Sequence, residues 1–376
     1  MGAKFACLSP QTGAIMATGQ AMESPPISPV SPAPHHSFAD DILAGIENQA
    51  PADPTGYECE IAPRELPPDT MLNGYRLVRM LGAGGFGVTY LAQENGLNRP
   101  VVIKESFPDT FCYRRSNTLD VCLNSPETDT ERYAWACANF LREARILATL
   151  DHPYIAKVYS YFEAHDTAYY VTEYIDGQAL GKLAAEYATY RLSIRQDDLL
   201  GLMVRLLDAL DYLHGKKLLH RDIKPDNVLI TRQGFPVLID FGAARESYGD
   251  LSANFIESPG FTPPEQLKEG GNLGPWTDLY ALGATLYYTL TGTCLPPCNQ
   301  RELYDTAAPL SRNSRLLSLY APGLLQSIDK ACHPSPEARY ASAAEWLADL
   351  HESKLAPASA RTIAQAVAPA PPFPAH

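Results

Sequence analysis

The chain has 376 residues, 19% of them charged and 45% hydrophobic, with a formal net charge of −13. That length holds one large unit or two ordinary domains, and the acidic balance argues against nucleic acid or an anionic membrane surface as a partner. The eight cysteines are scattered without CxxC pairs, so a reducing, cytoplasmic setting is expected, and no apolar run reaches membrane-spanning length.

Residues 1–71 are rich in Pro, Ala, Ser and Gly and poor in periodic apolar positions, so they are expected to be mostly disordered. One island interrupts them. Ser37 has a cap-like place before Phe38, Ile42, Leu43 and Ile46, so 37–47 reads either as a short helix docking on the chain or a partner, or as a transient helix without a role. Ser9, Ser24, Ser28 and Ser31 each precede a proline, a phosphoacceptor pattern that a Pro/Ser-rich linker also yields unaided.

Tyr75 to Leu81 reads as a strand and runs into Gly82-Ala83-Gly84-Gly85-Phe86-Gly87. A GxGxxG that binds a dinucleotide needs a helix directly after its last glycine. Here Val88-Thr89-Tyr90-Leu91-Ala92 follows, β-branched and aromatic, so a strand–glycine loop–strand hairpin is expected. Such glycines let the backbone approach phosphates without a Cβ clash. Val101-Val102-Ile103-Lys104 is a further strand ending in a lysine, and Phe140 to Leu150 carries apolar residues at helical spacing around Glu143. The helix is expected to begin at Tyr133. Leu199 to Leu213 reads as one amphipathic helix and Asp278 to Leu290 as another, more buried.

Between those two helices lies His220-Arg221-Asp222-Ile223-Lys224-Pro225-Asp226-Asn227, flanked by apolar runs. Phosphoryl transfer to a hydroxyl needs a carboxylate to orient and accept the proton, an amide oxygen for a metal, and a cation for the transferred group. Asp222, Asn227 and Lys224 supply all three on one loop. Val237-Leu238-Ile239-Asp240-Phe241-Gly242 then places a second carboxylate after a buried strand.

These motifs, in this order, resemble the protein kinase family over residues 72 to 353, and Lys224 resembles its serine/threonine branch. The runs IKESFPD, PPEQ and GPWTDLYALGATLY resemble a bacterial, Hanks-type subgroup. The resemblance implies an α+β, two-lobed fold: a small antiparallel β lobe with one helix at 72–172, a larger helical lobe at 178–353, and a flexible Ala/Pro-rich tail at 354–376. It implies transfer of the γ-phosphoryl of ATP to protein Ser/Thr hydroxyls, with autophosphorylation, supported by Mg²⁺, for which Mn²⁺ can substitute. Asp222 is then the base, Lys224 steadies the transferred group, and Lys104, paired with Glu143, positions the phosphates. Asn227 and Asp240 hold the metal. Leu81, Gly82, Gly84, Gly87, Thr89 and Val102 roof the nucleotide, Thr172 is a small gatekeeper, and the backbone of Glu173 and Ile175 meets the adenine edge. Phe241 and Gly242 complete DFG, Glu265 closes the activation segment and pairs with Arg339, Asp278 supports the catalytic loop, and Ser258 bridges Asp222 and Lys224.

Three departures stand out. Thr89 and Val102 replace the usual Val and Ala, and Lys104 and Glu143 lie 39 residues apart, leaving an insert at 105–139 that either controls Glu143 or is a passive elaboration. Arg221 ordinarily pairs with an activation-loop phosphate, but the matching position is Asn254. Either Ser252 substitutes, or Arg221 pairs with an acid such as Glu257 and no loop phosphate is needed, the outcome favoured here. A pseudokinase scaffold is the rival reading. Loss of Lys104, Asp222, Asn227 or Asp240 would mark it, and all four are present.

Overall fold

Strand β1 (Met71–Leu72) opens a six-stranded antiparallel sheet with β2 (Tyr75–Gly84), β3 (Gly87–Glu94), β4 (Arg99–Ser106), β7 (Val158–Ala164) and β8 (Thr167–Glu173), in the order β1-β2-β3-β4-β8-β7. The computed structural model describes residues 63–352 apart from 117, 242–244, 247–257 and 269, and gives only the backbone of 245 and 246. The candidate helix at 37–47 and the tail at 354–376 lie outside the described residues. Side chains alternate across the sheet as the two-residue pleat dictates. Val88, Tyr90 and Ala92 of β3 and Val101, Ile103 and Glu105 of β4 turn inward, which leaves Lys104 on the opposite face.

The insert holds a two-stranded sheet, β5 (Cys112–Arg114) and β6 (Val121–Leu123), and then helix α1 (Pro126–Leu147). Phe107, Cys112, Val121, Tyr133 and Cys137 all belong to the small-lobe core, so this segment is not a surface addition. Helix α1 starts at Pro126 rather than Tyr133 because Pro126 takes the first turn, Glu127 and Asp129 face the helix N-terminus, and Asp129 Oδ2 accepts from Ser125 N at 3.1 Å. The expected boundary at 71 also shifts: Leu66 is buried and its N–H donates to the Tyr90 hydroxyl at 3.1 Å, so residues 63–71 pack on the sheet.

Beyond Glu173 a second core gathers α2 (Leu180–Thr189), α3 (Gln196–Gly215), α4 (Pro275–Thr291), α6 (Ser314–Leu317), α7 (Pro322–Ala331) and α8 (Ala343–Glu352), with the short α5 (Cys298–Leu303) between α4 and α6 in the chain. Helices α3 and α4 enclose the two spans expected from periodicity. Helix α4 starts where Gly274 N donates to Thr277 Oγ1 at 3.2 Å with Pro275 in its first turn, and stops at Gly292, whose φ of 72° suits glycine. Five short strands surround the loop between α3 and α4: β9 (Gly177–Ala179), β10 (Leu218–Leu219), β11 (Val228–Thr231), β12 (Pro236–Leu238) and β13 (Arg245–Glu246). The β9–β11–β12 sheet and the β10–β13 pair carry that loop between the two cores.

Candidate active site

Strands β11 and β12 pair antiparallel with Val228 opposite Leu238, and Ile239 N donates to Asn227 O at 3.0 Å. This hairpin brings Asp240 beside the loop of Asp222. A 3-10 turn over Pro225–Asn227 folds Asn227 back, so its amide nitrogen donates to Asp222 O at 2.8 Å and Asp222 Oδ2 at 2.9 Å. Lys224 Nζ donates to Asp222 Oδ2 at 2.8 Å, and Ser258 Oγ donates to Asp222 Oδ1 at 2.8 Å. Lys224 Nζ also reaches Ser258 Oγ at 3.3 Å. One carboxylate is therefore held by an ammonium and an amide of its own loop and by a hydroxyl from Ser258, on a separate segment.

Arg221 and Asp240 both have φ of 63°, a left-handed backbone that non-glycine residues rarely adopt. Asp278 holds the first of these. Buried at the start of α4, it accepts from His220 N at 2.9 Å, Arg221 N at 2.8 Å and His214 Nε2 at 2.9 Å. Burial would raise the Asp278 carboxyl, but the His214 hydrogen bond and charge, the nearby His220 and the Arg221 N–H hold it below the usual aspartate value. Gln266 Nε2 donates to Arg221 O at 2.8 Å. His220 packs on Phe241 with the rings tilted and their centroids 4.4 Å apart, which anchors the strained Asp240 beside a buried ring.

Lys104 Nζ lies 2.6 Å from Asp240 Oδ1. The expected partner, Glu143, instead places Oε1 3.5 Å from the hydroxyl of Tyr170. Tyr170 is the cross-strand neighbour of Lys104, and its ring, packed on Phe140, lies 5.7 Å from the ammonium. The phenol thus stands beside the lysine and meets Glu143, while the lysine turns to the aspartate. Desolvation would raise the Asp240 carboxyl, but the charge and hydrogen bond of Lys104 hold it below its usual value.

The glycine hairpin forms as expected. Gly82 pairs with Thr89 and Gly84 with Gly87, and Leu81 sits where the register shifts between Met80 and Gly82. A Cβ on Gly87 would meet Glu105 O at 2.4 Å, so only glycine fits there. Thr89 pairs with Lys104, Val102 with Thr172, and Val101 with Glu173, which gathers the roof and hinge residues beside the lysine. Glu173 N donates to Lys157 O at 2.8 Å, and Ile175 follows in the linker that ends at β9. Below the catalytic loop, Arg339 holds Glu265 through two hydrogen bonds of 2.7 and 3.0 Å, and Thr277 Oγ1 adds a third to Glu265 at 3.1 Å. Gly242, Ser252, Asn254 and Glu257 lie outside the described residues. Tyr170, Glu105, Arg114 and Arg64 have no expected role in the sequence. A tyrosine beside the lysine strand was the available signal for the first, and the charge directly after Lys104 for the second.

This arrangement, a glycine hairpin over a lysine strand facing an Asp–Lys–Asn loop, defines a protein kinase domain. The sequence matches the protein kinase domain family profile over residues 75–349. It is 34% identical to the serine/threonine-protein kinase PknA of Nostoc sp. over 73% of this chain and 46% of that protein. It is 33% identical to serine/threonine-protein kinase D of Synechocystis sp. over 75% of this chain and 52% of the relative. The chain spans about half the length of these curated relatives. Among solved structures, an apo form of PpkA is 34% identical with a TM-score of 0.67, covering 77% of this chain and 100% of that one. The PknI kinase domain of Mycobacterium tuberculosis is 25% identical with a TM-score of 0.54, covering 77% of this chain and 99% of that one. The chain belongs to the protein kinase family, among the bacterial Hanks-type serine/threonine kinases.

Proposed function

We propose that this chain transfers the γ-phosphoryl of ATP to serine and threonine hydroxyls of proteins, its own included. The grip of Lys224, Asn227 and Ser258 on Asp222 is the observation that carries this reading. A substrate hydroxyl brought to Asp222 loses its proton to that carboxylate as it meets the phosphorus, while Lys224 lies close enough to steady charge on the transferred group. Lys104 leaves Asp240 to meet the α- and β-phosphates, under a hairpin whose glycines admit them. Glu143, 3.5 Å from the Tyr170 hydroxyl in this state, becomes available to Lys104 once it turns. The Glu173 carbonyl and the Ile175 N–H face the adenine edge, with Leu81, Thr89, Val102 and Thr172 around the ring.

The donor set fits a hard cation. Asn227 commits its amide nitrogen to Asp222, which directs its oxygen to the role of ligand, and Asp240 adds a carboxylate. Two oxygen donors suit Mg²⁺, which keeps waters and phosphate ligands, and the ion supplies neutralisation of the phosphate charge when bound. Positioning and fixed charge account for most of the rate in such a site, because the transition state is loose. Among the described residues no helix is long and apolar enough to cross a membrane. A cytoplasmic setting for the domain is part of this proposal and rests on the scattered cysteines.

Incubation of the purified chain with labelled MgATP and a generic protein substrate tests the reading, with Asp222→Asn as control. Phosphoserine and phosphothreonine are expected. Predominant phosphotyrosine, or undiminished labelling by Asp222→Asn, refutes it.

A further inference from the structure

Two arginines outside the catalytic constellation meet at the strand that carries Lys104. Arg114, on β5, is fully buried and donates from Nη2 to Glu105 Oε1 at 2.6 Å. Glu105 follows Lys104 directly, turns to the opposite face of β4, and also accepts from the Tyr169 hydroxyl at 2.7 Å and from the Tyr90 hydroxyl at 2.7 Å. The buried carboxylate is thus fully hydrogen-bonded, the condition under which a buried charge is tolerated. Arg114 spends its other donors on backbone: Nε to Arg64 O at 3.0 Å and Nη1 to Leu119 O at 2.7 Å. It therefore ties the strap at 64–66 and the turn before β6 to the lysine strand.

Arg64 extends that tie to the glycine hairpin. Its Nη2 donates to Gly84 O, and lies 3.4 Å from Gly87 O and 3.3 Å from Phe107 O. Its Nη1 pairs with Asp109 Oδ2 at 3.0 Å. The Phe107 ring lies 5.4 Å from the guanidinium of Arg64 and 5.1 Å from that of Arg114, and the Phe107 N–H donates to Phe86 O at 3.0 Å. Apart from Arg64, that bond and the pairing of Gly87 with Ser106, the tip is open: Phe86 is 57% exposed, and no heavy atom outside the chain neighbours stands within 4 Å of a Cβ built on Gly84 or Gly85.

We propose that Arg64 is a positioning residue that pins the phosphate-facing hairpin to the strand of Lys104, with Arg114 and Glu105 as its fixed anchor. The inference rests on the kinase reading of the hairpin. A glycine-rich loop is flexible in isolation, so a tether at the Gly84 and Gly87 carbonyls lowers the ordering entropy that phosphate binding must supply. Arg64 does this from outside the core, at the end of the segment that precedes the domain, and the insert at 105–139 is the scaffold on which it acts. The fork geometry matters: one guanidinium spans Asp109 and the hairpin carbonyls together, which a single ammonium cannot do.

Arg64→Ala and Arg64→Lys in the full chain test this, with MgATP and adenosine titrated separately by calorimetry, KM for ATP and kcat measured apart, and amide exchange followed at 84–87. Arg64→Ala is expected to weaken MgATP binding and raise KM for ATP by about tenfold, a loss in the range of one charge-assisted hydrogen-bond set. Adenosine affinity is expected to hold, kcat to fall less than KM rises, and exchange at 84–87 to accelerate. Arg64→Lys recovers only part. Equal losses for adenosine and MgATP would reduce Arg64 to general support of the lobe and overturn the proposal, as would unchanged KM and exchange. If the wild-type chain binds neither ligand, the nucleotide reading fails by itself. The exchange comparison still judges the tether, since unchanged exchange in Arg64→Ala overturns it and faster exchange upholds it.

Discussion

Lys104 on β4 and Asp240, two residues beyond β12, meet at 2.6 Å, so the two residues assigned to phosphates and metal hold each other. On the proposed reading, this pair is what an arriving nucleotide opens. Lys104→Met removes both the phosphate anchor and the charge that keeps the Asp240 carboxyl below its usual value. The variant is expected to lose transfer by at least about a hundredfold. Its Asp240 carboxyl should also titrate higher than in the wild type, because desolvation is then opposed only by the weaker pull of His220 and Lys224. A lowered folded-state value means that the pair's stabilisation is present above the ordinary aspartate range and fades as pH falls through the folded value. Carboxyl-carbon NMR titration of both proteins checks the shift, and coinciding curves would refute the assigned cause.

Asp222 touches Lys224, Asn227 and Ser258 but sits apart from the hinge, so its role is separable from nucleotide binding. Asp222→Asn is expected to cut kcat by about 10²- to 10⁴-fold, the range of a lost general base, while MgATP affinity stays within about threefold. Single-turnover kinetics and calorimetry on the same preparation provide the check. A collapse of MgATP binding would place Asp222 in the nucleotide site rather than at the hydroxyl.

Much of this site was legible because its residues lie in short runs with distinct chemistry. His220 to Asn227 and Gly82 to Gly87 announce a loop and a hairpin by residue type and spacing alone. The contacts that escaped are cross-strand or long-range. Tyr170 reaches Glu143 because β8 pairs with β4 in a register that no local pattern states. Arg114 lies in a stretch without apolar periodicity, and only the fold around Glu105 removes it from water. The start of α1 was missed because apolar periodicity begins at Tyr133, whereas Pro126 and Asp129 set the terminus through capping that carries no apolar signal.

The Glu265–Arg339 pair closes the segment below the catalytic loop with both side chains almost wholly buried. Breaking such a pair from one side leaves a charge without its partner, a cost of about 3–5 kcal/mol. Arg339→Met is therefore expected to lower the urea midpoint strongly. Glu265→Gln/Arg339→Met should recover part of that loss, since no buried charge is then left alone. Additive effects of the two single changes in a double-mutant cycle would show that the pair is not coupled.

His220 predicts the acid limit of the fold. The ring is fully buried against Phe241, and its Nδ1 accepts from Asp222 N at 3.3 Å, which requires a neutral imidazole. Burial pushes its protonation below the ordinary histidine value, although Asp278, Asp222 and Asp240 pull the other way. The unfolded chain binds a proton near pH 6.5 that the folded chain refuses, so stability falls as pH drops below that value towards the folded one. The slope for this one group is at most about 1.4 kcal/mol per pH unit. Urea denaturation at a series of pH values from 7 to 5 should show a steeper loss for the wild type than for His220→Phe, which keeps the ring contact with Phe241 and has no proton to bind. Because the other eight histidines are common to both proteins, the difference between the curves isolates His220. Parallel curves would mean that the buried ring accepts its proton as readily as the unfolded chain, and that the acid sensitivity of the catalytic loop lies elsewhere.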